Sequence, residues 1–139
     1  DSYLIGLRQC LKRDIDIHVL FPGSLNALNL GATGVLSAEA NIIPRTLRDY
    51  VDGWASGRGV AESNAAYLQI DRFVQYVAKW GPSHPRWLKM CVKALKLPGW
   101  EGGVREPYLL PNAEELRKFS AGLLELGIPE IAELARVEK

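Results

Sequence analysis

Cysteine and histidine are scarce in this 139-residue chain, which has two residues of each. Cys10 and Cys91 lie far apart and form no CxxC pair, so no disulfide framework is expected, and each should be a small apolar residue on a helix. His18 and His84 are equally isolated, whereas a metal site usually needs a cluster of ligands. The scarcity predicts no metal site and fits a reducing, cytoplasmic setting.

An excess of charge and a long apolar run are also lacking. Seventeen basic residues face sixteen acidic ones, and a formal charge of +1 argues against binding to nucleic acid or to a membrane surface. No apolar run is long enough to span a bilayer, and the first residues show no signal-peptide pattern. With 47% hydrophobic and 24% charged residues, the composition is that of a globular protein with neither kind of partner.

The residue pattern predicts two short strands among many helices. A β-branched and aromatic run over 14–21, stopped by Pro22 and Gly23, predicts the first strand, and residues 33–38 predict the second. Helical spacing predicts helices over 1–13, 24–30, 44–56, 60–80 and 86–97, one opened by Asn112 with Glu115 as a capping-box pair, and one from Pro129. Residues 99–111 are predicted to form a loop.

Two strands joined by a short helical crossover should be parallel. Parallel strands normally belong to larger sheets that are covered on both faces, and a two-stranded sheet leaves both outer edges unpaired. We therefore expect further strands from residues outside this sequence or from another chain.

Four segments resemble, in the right order, the dihydrodipicolinate synthase / N-acetylneuraminate lyase family. Gly31–Pro44 fits the family's eighth strand and loop, Gly-Ala-x-Gly-[Val/Ile]-Ile-Ser-x-x-x-Asn-x-x-Pro, and Val19–Gly23 is similar to its seventh strand. Trp87–Leu97 resembles a late helix, and Gly102–Pro107 resembles the loop before the last helices. The resemblance implies an α/β fold: the C-terminal portion of a (β/α)8 TIM barrel, strands 7 and 8, in residues 1–57, and a C-terminal α-helical extension in residues 58–139.

The resemblance also implies a lyase, an aldolase, synthase or dehydratase, that acts on pyruvate or another 2-keto acid through a lysine Schiff base. No cofactor is expected because the imine is the electron sink, and a dimer or homotetramer is implied. The family's lysine ends strand 6, upstream of this sequence, so the chain alone should be inactive. Its own lysines fall on predicted helices or at the terminus, away from strand ends: Lys12, Lys79, Lys89, Lys93, Lys96, Lys118 and Lys139.

Three residues are predicted to bind substrate, and none to be catalytic. By resemblance, the backbone of Leu36 lines the pyruvate pocket and Gly23 ends strand 7 beside the substrate, where glycine lets the main chain approach closely. Gly34, Leu36 and Ala38 should share one strand face, with Leu36 buried. Glu39, on the rim, is expected to face solvent.

Alternative interpretations remain open. Leu36 could be a plain barrel-core residue and Gly23 a plain turn residue. The chain could come from a keto-acid-binding regulator without turnover, or it could be a helical adaptor that presents residues 60–97.

Overall fold

The structure, a computed structural model, describes residues 2–57, 60–81 and 84–136. The chain divides into two compact units, residues 1–37 and 38–139. The division expected after residue 57 concerns the barrel and its extension, and it stays a prediction. Among the described residues, no helix has both the length and the apolarity to cross a bilayer.

The first unit contains helix α1 (Ser2–Cys10), strand β1 (His18–Leu20), helix α2 (Ser24–Asn29) and strand β2 (Gly34–Leu36). The two strands are parallel and adjacent, with His18 opposite Gly34 and Leu20 opposite Leu36. The prediction of a parallel pair joined by a short helix is therefore confirmed.

The register of the pair is set just before the strands begin. The Thr33 main-chain N–H donates to the carbonyl of Ile17 at 2.8 Å, and the Ile17 N–H donates to the Thr33 hydroxyl at 2.8 Å. One step further, a Cβ on Gly34 would lie 2.6 Å from Cδ2 of His18. Glycine at position 34 is thus required for the His18 ring to lie across β2.

The second strand is shorter than expected, and Ala38 is not part of it. Ala38 instead begins a 3-10 helix, Ala38–Asn41. The N–H groups of Ile42 and Ile43 both donate to the carbonyl of Glu39 at 2.9 Å, and the Asn41 amide donates to the carbonyl of Ala38 at 2.9 Å. These local bonds turn the chain away from the extended conformation that the sequence pattern predicted.

The described residues of the second unit continue with the α-helices α3 (Pro44–Ala55), α4 (Val60–Ala78), α5 (His84–Ala94), α6 (Ala113–Glu125) and α7 (Pro129–Leu134). Aromatic rings join three of them. Phe73 of α4 and Trp87 of α5 meet edge to face at 5.7 Å, while Phe119 of α6 meets Tyr76 at 5.5 Å and Trp80 at 5.4 Å. The buried core of this unit includes Tyr50, Ile70, Phe73, Met90, Cys91, Phe119, Leu123, Ile128 and Ile131.

Helix α6 begins as predicted. The Asn112 side chain accepts from the Glu115 N–H at 2.9 Å, and the Glu115 carboxylate accepts from the Asn112 N–H at 3.1 Å. This capping box satisfies two N–H groups that have no partner within the helix. Gly127, at φ 65°, follows the end of the helix.

Cationic side chains of α5 hold the long loop that follows it. Lys89 donates to the carbonyl of Gly99 at 2.5 Å, Lys93 to that of Trp100 at 2.8 Å, and Arg86 to that of Leu109 at 2.8 Å. Because the three donors are spaced three and four residues apart, they lie on one face of α5. The loop is therefore attached to this helix at both of its ends.

Candidate functional site

The carboxyl ends of the two strands meet at one edge of the first unit, because Leu20 and Leu36 are paired in a parallel register. Ligand sites of parallel α/β folds are built at such ends, from the last strand residues and the loops that follow. Phe21, Pro22 and Gly23 follow β1 here, and Ser37 follows β2. We therefore expect the predicted substrate contacts at this strand-end edge of the first unit.

Gly23 has the backbone that only glycine adopts easily. Its φ is 93° and its ψ is −6°, in the left-handed region, and it immediately precedes α2. A Cβ built on Gly23 would meet nothing within 4 Å. Glycine is thus required at position 23 because of its backbone angle and not because of a lack of space. Within the first unit, one side of its main chain is open beside the strand end.

Leu36 is not the buried residue that strand alternation suggested. Its side chain is 66% exposed, and that of its partner Leu20 is 67% exposed. The two side chains share one face of the pair because they are in register. Among the described residues of the first unit, no element covers that face, and the burial expected for Leu36 in an intact barrel stays a prediction.

The three predicted binding residues are brought together only in part. Gly23 and Leu36 both lie at the strand-end edge of the first unit, whereas Ala38 begins the second unit. Their assignment to a substrate site stays a prediction.

Glu39 departs from its expected place on the solvent-facing rim. It is 5% exposed. Glu39 lies on the 3-10 helix Ala38–Asn41, in place of the rim loop that was expected after the strand. The expectation of a solvent-facing loop acid is therefore wrong for Glu39.

Among the described residues, no lysine lies at a strand end. Lys12 follows α1, Lys79 and Lys96 follow α4 and α5, and Lys118 lies on α6. Lys89 and Lys93 are bound to loop carbonyls as described above. Lys139 lies outside the described residues. None of the described lysines therefore adjoins the end of β1 or β2 along the chain.

The two cysteines do not form a reactive centre. Both are free, with Cys91 buried in α5 and Cys10 exposed at the end of α1, so the expectation of a buried Cys10 is wrong. Burial raises the pKa of the Cys91 thiol well above its ordinary value, which keeps it protonated and unreactive. The described residues contain no group of three or more His, Cys, Asp or Glu side chains that could hold a metal ion.

A polar cluster in the second unit was missed by the sequence patterns. The carboxylate of Glu130, 6% exposed, accepts from the main-chain N–H groups of Arg45 at 3.1 Å and Thr46 at 3.0 Å. It also accepts from the Thr46 hydroxyl at 3.0 Å and from Nε of Arg45 at 3.3 Å. Glu130 of α7 thus caps the N-terminus of α3, where a negative charge is favourable.

A local signal for this cap was present in the sequence. Pro44 marks the first turn of α3, but the preceding residue is Ile43, which has no side-chain acceptor. A buried helix start without its own cap needs an acceptor from elsewhere in the chain.

The chain is similar to curated sequences and to a solved structure that carry the same kind of name. No family model matches the chain. It is 30% identical over 106 residues to a 4-hydroxy-tetrahydrodipicolinate synthase from Nostoc punctiforme, a match that covers 76% of this chain and 34% of the relative. It is 33% identical over 100 residues to a 4-hydroxy-tetrahydrodipicolinate synthase from a Synechococcus species, covering 72% and 31%. The chain thus spans about a third of the length of these relatives.

A solved structure with a similar name also matches the chain. A crystal structure assigned as a dihydrodipicolinate synthase from Thermus thermophilus superposes with a TM-score of 0.66 at 28% identity, over 91% of this chain and 43% of that chain.

Proposed function

The chain is a homologue of the dihydrodipicolinate synthases, and on this premise we propose that it forms part of a lyase acting on pyruvate or another 2-keto acid. The reaction would proceed through a Schiff base to a lysine that lies outside the printed sequence. The printed chain would supply one side of the substrate site, and it would be inactive alone.

The observation that carries this proposal is the in-register parallel pair with Gly23 and Leu36 at one edge. We assign β1 and β2 to the seventh and eighth strands of a (β/α)8 barrel. The carboxyl ends of barrel strands surround the active site, so these two residues would face the substrate from neighbouring strands. The exposed side chains of Leu20 and Leu36 support the assignment, because that face would be covered once the remaining strands are present.

The chemistry divides between the missing lysine and the groups present here. A neutral amine attacks the keto carbon, water leaves, and the protonated imine then withdraws electrons from the neighbouring carbon. In this scheme Gly23, Leu36 and Ala38 orient the keto acid through their main chain and exclude water, and they transfer no protons. No cofactor or metal is required for this step.

The proposed partners follow from the unfinished sheet. Both outer edges of the two-stranded sheet, β1–β2, lack a strand among the described residues. Exposed strand edges readily pair with further strands. We propose that barrel strands from outside the printed sequence complete the sheet and that the complete protein is a homo-oligomer, a dimer or a tetramer, in the cytoplasm.

A second candidate is a barrel-derived regulator that binds a keto acid without converting it. The same strand-end contacts would serve such a protein, because the contacts proposed for Gly23 and Leu36 do not involve the lysine. A regulator would bind pyruvate reversibly and would not form the imine with any lysine in the assembled barrel.

Fragment complementation with borohydride trapping tests whether this chain can complete the substrate site of a synthase barrel. The chain is mixed with a truncated Nostoc punctiforme synthase that ends before its seventh strand, and pyruvate and borohydride are added. We expect a reduced pyruvyl adduct on the truncated synthase in the mixture, and none on the chain alone. A stoichiometric adduct on a lysine of this chain, or co-elution of the two fragments without any adduct, would contradict the proposal.

A further inference from the structure

A hollow of about 250 Å³ opens at the C-terminal end of α1, within the first unit. Its lining consists of Arg8, Leu11, Lys12, Arg13 and Asp14. Three cationic side chains and one carboxylate give this small space a formal charge of +2, whereas the whole chain carries only +1. The positive charge of the protein is therefore locally concentrated here.

The cations of this hollow are not neutralised by ion pairs. In the described ranges, no carboxylate forms a salt bridge with Arg8, Lys12 or Arg13, while other cations such as Arg45 and Lys118 have such partners. The three cations of the lining outnumber its one carboxylate, Asp14, and like charges in one small space repel one another. An anion placed among them would relieve this repulsion.

Arg8 is exposed and lies beside Gly31. A Cβ built on Gly31 would lie 3.2 Å from Nε of Arg8, so the guanidinium lies against the main chain of Gly31, which has a φ of 99°.

We propose that this hollow binds a small phosphate monoester. Guanidinium groups bind phosphate oxygens with paired hydrogen bonds, and the hollow offers two of them beside an ammonium. Its volume is below that of ordinary metabolite pockets, so the ligand must be small. The Asp14 carboxylate can accept a hydrogen bond from a hydroxyl on the organic part of the ligand.

The hollow is separate from the edge that carries the proposed substrate contacts. It lies before the start of β1, whereas Gly23 and Leu36 lie at the carboxyl ends of the strands. The inference therefore does not rest on the proposed lyase function. The competing explanation is that Lys12 and Arg13 only complement the negative end of the α1 dipole, in which case no specific anion would bind.

Calorimetric titration of the 139-residue chain with glycerol 3-phosphate, in a phosphate-free buffer at constant ionic strength, tests the proposal. We expect saturable binding of one ligand that persists at physiological salt. Arg8→Gln and Arg13→Gln should each weaken binding by roughly tenfold, because each removes a charge-assisted hydrogen bond. Lys12→Gln, at an exposed position beyond the helix, should also weaken it with little risk to the fold.

The control is Arg117→Gln, which removes the same charge from an exposed position on α6. Circular dichroism confirms that each variant is folded. Equal weakening by Arg117→Gln, non-saturable binding, or a preference for a dicarboxylate such as malonate over glycerol 3-phosphate would each overturn the proposal.

Discussion

The side chain of Tyr76 on α4 occupies the space where a Cβ of Gly122 on α6 would lie. A Cβ built on Gly122 would be 2.6 Å from the Tyr76 hydroxyl oxygen and 2.8 Å from Cε2 of its ring. The same hydroxyl donates to the carbonyl of Phe119 at 2.6 Å, and the ring stacks on that of Phe119. Because Gly122 of α6 has no side chain, the Tyr76 hydroxyl of α4 can reach the backbone carbonyl of Phe119.

Gly122→Ala should therefore destabilise the protein, although the same change in an open helix position stabilises it by about 1 kcal/mol. The added methyl group displaces a ring that is stacked and hydrogen-bonded, at a cost of about 1–3 kcal/mol. Urea unfolding measures the change, and Tyr76→Phe in the same background should recover part of the loss. A gain in stability from Gly122→Ala alone would show that the ring moves aside freely.

The stability of this contact should depend on alkaline pH. Burial raises the pKa of Tyr76 above its ordinary value of 10.0. Above pH ~10 the unfolded chain loses this proton while the folded chain keeps it, so the folded state binds more protons and stability falls as pH rises. The difference in unfolding free energy between wild type and Tyr76→Phe should be constant at neutral pH and shrink above pH ~10. A difference that is independent of pH over this range would contradict the burial of the hydroxyl.

Glu130→Ala tests the cap on α3. Removing the carboxylate leaves the N–H of Thr46 and its hydroxyl without their acceptor in a buried place, and we expect a loss of about 2–3 kcal/mol. The matched control is Glu133→Ala, which removes an exposed ion pair of the same Arg45 and should cost less than about 1 kcal/mol. Equal losses in thermal or urea unfolding would mean that Arg45, and not the helix start, is what Glu130 stabilises.

Gly23→Val and Leu36→Ala address the proposed substrate edge. A β-branched residue at φ 93° is strained, and we expect the complemented barrel to lose most of its pyruvate adduct. Gly57→Val is the control, because Gly57 also has a positive φ of 62° and open space but lies after α3. If both glycine variants trap pyruvate equally well, Gly23 is only a turn residue.

Leu36→Ala should change the stability of the isolated chain by less than about 1 kcal/mol, because the side chain is exposed. In the complemented barrel the same change should cost roughly 2–5 kcal/mol, the usual range for a buried leucine. Thermal melts of both forms make the comparison. A large loss in the isolated chain would show that Leu36 is already covered there.

The predictable parts of this fold are those specified by neighbouring residues. The parallel pair follows from a β-branched run and the turn residues after it, and the α6 cap follows from Asn112 and Glu115, three positions apart. The resemblance of four segments to one family also agreed with the relatives found.

The errors concern features that depend on distant residues or on competing local bonds. The capping of α3 joins Glu130 to Thr46, 84 residues apart. Ile43 shows locally that the helix start lacks a cap of its own, but no local pattern identifies Glu130 as the partner. Ala38 was misplaced because a 3-10 turn was preferred over one more step of strand, and Glu39 was expected in solvent but is buried on the same turn. Alternation correctly placed Leu36 on the face shared with Gly34, but it could not reveal that the described residues leave this face uncovered.

The way in which the long loop is attached to α5 determines which amino-acid substitutions each of the two segments can accept. All three bonds end on main-chain carbonyls, of Gly99, Trp100 and Leu109, and a carbonyl is present whatever the side chain. The loop can therefore accept many substitutions and keep its path, whereas the helix needs a long cationic donor at each of three positions. Inserting a single residue between Arg86 and Lys93 would rotate one donor by about 100° relative to the other and detach one end of the loop.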